Sequence, residues 1–233
     1  MSLLEVNAIE TFIGQFHILE GVSFGVEEGS IVALLGRNGA GKTTTLNTIL
    51  GLTPASSGSV VFDGRDITGM HTFDIASMGI GYVPEHRAIF ADLSVEENLL
   101  IAQRKKDDLA VRSEMVFGLF PDLKRLIGLP GTSLSGGQQQ MLAVARALIP
   151  DNKLLLIDEP TEGLAPVIIE QMMDAIREMA AHTTVVLVEQ NFIVASRLAR
   201  HYVIIEEGRS VKAGLMADLV EDRETIIRYL GAA

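Results

Sequence analysis

The run Gly36-Arg37-Asn38-Gly39-Ala40-Gly41-Lys42-Thr43 fits G-x-x-x-x-G-K-[ST] and constrains the fold more than any other stretch of the 233-residue chain. Such a loop has to leave a strand and enter a helix. Both are legible: Ile31-Val32-Ala33-Leu34-Leu35 is an unbroken apolar run, and a helical pattern follows over 44–50. Glycines let the backbone curl until successive N–H groups converge on phosphate oxygens, and the helix start adds partial positive charge. Lys42 is placed to reach β- and γ-phosphates and the Thr43 hydroxyl to hold Mg²⁺, so the expected ligand is a triphosphate with its metal.

A second apolar run, Leu154-Leu155-Leu156-Ile157, ends in Asp158-Glu159. Asp158 at a strand's carboxyl edge can organise Mg²⁺ and its waters, and Glu159 is placed to orient or deprotonate an attacking water. With Val185-Val186-Leu187-Val188 as a third run, near-continuous apolar strands imply a parallel sheet covered on both faces. Strand-like pieces are expected over 59–62 and 79–83, and a helix-rich stretch over 95–149. Charges, Pro121 and Gly128 mark 107–130 as its outer helices and turns. Residues 202–205 and 210–213 read as a hairpin across Glu206-Glu207-Gly208-Arg209, with a closing helix over 216–230.

Leu134-Ser135-Gly136-Gly137-Gln138 lies 20 residues before Asp158 and opens an amphipathic stretch over 139–149. Ser135 suits an N-cap, and the glycines expose N–H groups at a helix start, making a second anion site. LSGGQ followed by LLLIDEP resembles the nucleotide-binding subunits of ABC transporters over essentially the whole chain. The resemblance implies an α/β fold: a P-loop NTPase core with a mostly parallel sheet, an antiparallel β portion and an inserted α-helical subdomain. It implies one ABC ATPase domain over 1–233, with the helical lobe at about 90–150. It also implies ATP bound by Gly36, Arg37, Asn38, Gly39, Ala40, Gly41, Lys42, Thr43 and Thr44, and Mg²⁺ held by Thr43, Asp158 and Glu85. Ser135, Gly136, Gly137 and Gln138 would close over ATP held by another subunit, and Glu159 and Gln190 would serve catalysis.

Local strings narrow the resemblance. Tyr82-Val83-Pro84-Glu85-His86-Arg87, Val95-Glu96-Glu97-Asn98-Leu99 and Val188-Glu189-Gln190-Asn191 are similar to the LivF type, which serves importers of branched-chain and related amino acids and whose close relatives serve amide or urea importers. Most ABC ATPases carry Gln at the place of Glu85 and His at that of Gln190. Glu85 either ligates Mg²⁺ or shapes the loop that touches membrane subunits. Gln190 keeps a donor for the γ-phosphate but cannot titrate near neutral pH, so no histidine-type pH switch is expected there. Gly163-Leu164-Ala165-Pro166 stands where an Asp-bearing loop is usual. Many relatives stack adenine on an aromatic residue before a Gly; here Ile13 precedes Gly14, and Phe12 either stacks by a shifted loop or packs in the core, the latter favoured.

Composition sets limits on partners. Lys and Arg number 19 against 30 Asp and Glu, a net charge of -11, which argues against nucleic acid as the main ligand. Cysteine is absent, removing disulfides, thiolate metal sites and a cysteine nucleophile. The five His show no metal spacing and read as surface or loop residues, and Met172, Met173 and Met179 as core. No secretory signal or spanning helix is expected, and the resemblance implies a place on the cytoplasmic face of the inner membrane, held by partners. Those are a second ATPase subunit, identical or paralogous, integral permease subunits and, indirectly, a solute-binding protein. Two alternatives stand beside an importer subunit: a soluble ABC ATPase acting on nucleic acid or ribosomes, and a non-hydrolysing dimerisation switch. At 48% hydrophobic residues the chain is rather apolar, and part of the excess, around Ile89-Phe90 and Leu99-Leu100-Ile101, is expected to dock on membrane subunits.

Overall fold

Each of the three apolar runs is a strand buried along its length. In the computed structural model, residues 2–231 are described; residues 1, 232 and 233, which the expected domain span includes, lie outside them. The strands are β1 (Ser2–Ile13), β2 (Phe16–Glu27), β3 (Ile31–Leu35), β4 (Ser57–Phe62), β5 (Arg65–Asp66), β6 (Ile80–Val83), β7 (Leu154–Asp158), β8 (Thr184–Val188), β9 (His201–Glu206) and β10 (Arg209–Leu215). The helices are α1 (Lys42–Ile49), α2 (Thr72–Ser77), α3 (Val95–Ile101), α4 (Asp108–Leu119), α5 (Pro121–Arg125), α6 (Gly136–Leu148), α7 (Pro166–Ala180), α8 (Phe192–Leu198), α9 (Met216–Glu221) and α10 (Arg223–Thr225).

A six-stranded sheet runs β10-β9-β3-β8-β7-β6, parallel except where β10 returns along β9. A four-stranded antiparallel sheet runs β2-β1-β4-β5. Because side chains alternate across a strand, β3, β7 and β8 feed two cores at once. Ala33, Leu155 and Leu187 pack with α6 and α7 on one face, while Leu34, Leu156 and Val186 pack beneath α1 and the antiparallel sheet on the other. Met172, Met173 and Met179 are buried on the α7 side. Helices α3 to α6 all fall between β6 and β7. Among the described residues no helix is long and apolar enough to cross a membrane.

Several boundaries differ from the sequence expectations. The two longest strands, β1 and β2, gave no clear signal, because register shifts between Val6 and Ile9, and a positive φ at Ala8, break the period-two alternation. Helix α1 begins at Lys42, two residues earlier than expected, since Gly41 takes the left-handed cap conformation. The closing helix over 216–230 is broken. The Asp222 carboxylate accepts the Thr225 N–H (3.0 Å) and hydroxyl (2.7 Å) and the Lys212 ammonium (2.6 Å), ending α9 and starting α10, with a wider helical turn over Ile226–Leu230.

Candidate functional site

The chain leaves β3 at Gly36, where φ is 149° and a Cβ would lie 2.2 Å from the Ile205 carbonyl oxygen. At Gly41, φ is 107° and a Cβ would meet Leu19 Cδ2 at 2.8 Å, so both ends of the loop require glycine. Lys42 then opens α1, only 4% exposed. Its Nζ donates to the Gly36 carbonyl (3.0 Å) and the Arg37 carbonyl (3.2 Å), and lies 3.3 Å from Glu159 Oε1.

Glu159 follows β7 with φ of 45°, a left-handed conformation that costs a non-glycine residue about 1–2 kcal/mol. Hydrogen bonds hold it there: its N–H donates to the Val188 carbonyl (2.9 Å), and its carbonyl accepts from the Glu162 N–H (3.3 Å). Asp158, at the last position of β7, is fully buried, and neither carboxylate oxygen has a hydrogen-bond partner. Burial pushes its carboxyl up to about 6, opposed by the Thr43 hydroxyl and Lys42 and reinforced by the charges of Glu159 and Glu85. A buried carboxylate with orphaned oxygens beside a hydroxyl and a second carboxylate is a hard-oxygen donor set, which fits Mg²⁺.

These groups share a cleft of about 400 Å³, lined by Asn38, Gly39, Gly41, Lys42, Thr43 and Thr44 of the loop and by Glu85 and Glu159. Gly36, Arg37 and Ala40 do not line it; Ala40 is buried, and the Arg37 guanidinium donates to the Arg228 carbonyl (3.3 Å). Ile13, Ile18 and Glu162 complete the wall. The core position favoured for Phe12 is overturned. Phe12 is 46% exposed and stacks on His17 with ring centroids 4.2 Å apart. The neighbouring Thr11 turns inward, so the strand's alternation sends Phe12 outward, and it is Ile13 that reaches the cleft.

Gln190 also departs from expectation. It is exposed and lines a separate hollow with Phe192, Ile193 and Ile227. The residue turned inward at the end of β8 is Glu189, 2% exposed, accepting the Thr161 hydroxyl at 2.7 Å. A visible signal existed for it: an acid directly after an apolar run, in the same place as the acids after β7.

Ser135 to Gln138 do not line the cleft either. They form the start of α6 as a capping box, with the Ser135 hydroxyl accepting the Gln138 N–H (3.3 Å) and the Gln138 side-chain oxygen accepting the Ser135 N–H (2.9 Å). Arg87, not singled out from sequence, lies across this start. It donates to Gln139 Oε1 (3.0 Å), and its guanidinium nitrogens would be 3.3 Å from a Cβ on Gly136.

Residues 19–162 match the family model described as ABC transporter. The chain is 41% identical to the high-affinity branched-chain amino acid transport ATP-binding protein BraG of Pseudomonas aeruginosa, covering 98% of this chain and 100% of that protein. It is 36% identical to the probable branched-chain amino acid transport ATP-binding protein LivF of Archaeoglobus fulgidus, covering 89% of each. A crystal structure of an ATP-binding cassette of an ABC transporter in its ADP conformation superposes with a TM-score of 0.87 at 25% identity, covering 100% of both chains. With the phosphate loop, the acid pair at the end of β7 and the capped LSGGQ helix all in place on that fold, the chain belongs to the ABC transporter family of ATP-binding proteins.

Proposed function

We propose that this chain is the ATP-hydrolysing subunit of an importer of branched-chain or related amino acids. The observation that carries the ATP-hydrolysing part of the reading is the convergence of Lys42, Thr43, Glu85 and Glu159 on one cleft backed by the unpaired Asp158, and the solute class is supported by the similarity to BraG and LivF. The loop N–H groups and Lys42 bind the phosphates, and Ile13 and Ile18 give the base an apolar wall without an aromatic ring. Thr43 and Asp158, with Glu85 at the rim, are the residues that would hold Mg²⁺, which when bound neutralises charge on the phosphates.

Hydrolysis forms a bond from a water oxygen to the γ-phosphorus and breaks the bond to the β-bridging oxygen. Glu159 accepts the water's proton, and the products are ADP and phosphate. In the structure Glu159 Oε1 faces Lys42 Nζ. A triphosphate competes for that lysine, freeing the carboxylate for water.

The signature helix start does not line the cleft of its own chain; it serves the cleft of a second ATPase subunit, the same or paralogous, so that each subunit completes the other's site. A groove of about 390 Å³ between the sheet edge and α6, lined by Leu52, Arg87, Arg104 and Arg146, is assigned to permease subunits. They hold the chain at the cytoplasmic face of the membrane and in turn receive solute from a binding protein. The test is Glu159→Gln: nucleotide binding is retained, phosphate release falls by about 10²–10⁴, and an ATP-bound dimer accumulates on gel filtration. Unchanged turnover would remove Glu159 from the role.

A further inference from the structure

Among the described residues, Glu189 is the one buried acid near the cleft that the mechanism above leaves without a part. It follows β8 directly, and its own N–H donates to the Leu34 carbonyl (3.3 Å), which anchors it to the strand that feeds the phosphate loop. Its two carboxylate oxygens face different ways. Oε1 accepts the Thr161 hydroxyl at 2.7 Å, and Oε2 accepts the Asn191 N–H at 3.2 Å. Thr161 lies two residues beyond Glu159, in the turn whose backbone is further tied by Leu164 N–H donating to the Thr161 carbonyl (3.3 Å). Asn191 follows Gln190 and caps α8, its side chain accepting from the Ile193 and Val194 N–H groups. One buried carboxylate therefore clamps the two loops that emerge side by side from β7 and β8. Burying it is unfavourable: desolvation pushes its carboxyl up to about 7, the Thr161 hydroxyl and Asn191 N–H pull it down, and the nearby Glu159 charge adds to the rise. A side chain kept there against that cost, with both oxygens engaged, fixes geometry that an apolar residue would not.

We propose that Glu189 is a positioning residue for hydrolysis, holding the Glu159 turn and the Gln190 loop at a fixed separation through its bonds to Thr161 and Asn191. It touches no substrate. The inference rests on the assignment of Glu159 as the group that activates water.

Purified full-length Glu189→Gln, Thr161→Val, their double variant, Thr161→Ser and Glu159→Gln are compared by kcat and KM for ATP, affinity for a fluorescent ATP analogue, and melting temperature. Glu189→Gln removes the charge that strengthens both bonds and, with its oxygen on the Asn191 N–H, has to turn its amide N–H to the Thr161 oxygen; Thr161→Val keeps shape and removes the donor. Each lowers kcat by about 10- to 100-fold while KM and analogue affinity stay within about twofold. The double variant is no slower than the worse single, because both remove the same clamp. Thr161→Ser, which retains the hydroxyl, restores most of kcat. Independent, multiplying losses, or loss of nucleotide affinity in step with kcat, would overturn the proposal. If Glu159→Gln is inactive while Glu189→Gln and Thr161→Val turn over normally, the clamp fails and the Glu159 reading stands. If Glu159→Gln itself turns over normally, that reading fails and takes the clamp with it.

Discussion

Asp158 shows the cost of function at a single residue. Its two carboxylate oxygens are buried without partners, and its carboxyl is raised to about 6, so without a cation the ionised side chain opposes folding. A carboxyl held above its unfolded value binds its proton more tightly in the folded chain. The stability it contributes is complete below the ordinary carboxylate range and is lost as pH rises through about 6. Asp158→Asn removes that penalty, and in metal-free buffer at neutral pH it should raise stability by about 3 kcal/mol while abolishing Mg²⁺-dependent phosphate release. Denaturant melts at about pH 7.5 and about pH 4.5 separate the cases, the gain falling to roughly a third at the lower pH, where the unfolded carboxyl is still mostly ionised. Equal stability of the two proteins at neutral pH would show that the site tolerates the bare charge. Asp158 and Glu159 were legible in the sequence because the apolar run that carries them has a fixed end. Glu189 carries the same signature after β8, yet nothing in the one-dimensional order says that β7 and β8 are neighbours, so its role as a bridge became visible only once the sheet was built. Phe12 and Ile13 were distinguishable only once the strand's inward face was known.

At the scale of elements, sequence patterns located the helices well where a cap and an apolar stripe agree, and less well where a side chain outside the element intervenes. Ser135 and Gln138 announce α6 by spacing alone, and the structure extends the helix back to Gly136 through that capping box. The segment over 216–230 has an amphipathic pattern throughout, but the Asp222 carboxylate draws in Thr225 and, from β10, Lys212. That last contact is tertiary, so no local propensity reports it. Lys212, then the Thr225 N–H and hydroxyl, hold the Asp222 carboxyl well below the usual carboxylate range. A lowered pKa contributes stability that is present above the unfolded value and lost as pH falls through the folded one. Acidification below the ordinary carboxylate range should therefore loosen 222–230 before the parallel sheet gives way. The protection of the Thr225 amide, its slowing relative to the intrinsic exchange rate at the same pH, should fall there, and Asp222→Ala should show the low protection at neutral pH already. Uniform protection across 216–230 in that variant would restore the single continuous helix.

Across the whole molecule, the high apolar content divides into two cores that share one sheet and a remainder that stays at the surface. Of the positions expected to dock, Phe90, Leu100 and Ile101 are 46%, 44% and 53% exposed, whereas Leu99 is fully buried and Ile89 partly so. The exposed part adjoins the groove beside α6, where Leu52 adds a further 54%-exposed side chain. The groove also concentrates positive charge in a chain whose net charge is -11: Arg87, Arg104 and Arg146 all line it. Arg87 is bonded to Gln139 Oε1 (3.0 Å), and the other two are also partly committed to the fold, with Arg104 donating to the Ile80 carbonyl (2.9 Å) and Arg146 donating to the Ala88 carbonyl and lying 4.8 Å from the Phe90 ring centroid. Burial lowers the pKa of both, which leaves them under-solvated cations suited to an acidic side chain or the carboxyl end of a short helix. The loop itself is pinned from below, since the buried Asn98 side chain accepts the Phe90 N–H and donates to the Phe90, Leu93 and Ser94 carbonyls. A partner pressing on Phe90 thus meets a braced surface that leads, through Arg87 and Gln139, to the signature helix. Phe90→Ser with Ile101→Ser should leave melting within about 1 kcal/mol of the parent, as for surface substitutions generally, yet reduce co-purification with permease subunits at least about tenfold, equivalent to roughly 1.4 kcal/mol. Leu99→Ala supplies the contrast, destabilising the fold by about 2–5 kcal/mol because it opens a cavity in the core. Intact co-purification of the double serine variant would return the surface apolar residues to no assigned role and move the docking site elsewhere on the chain.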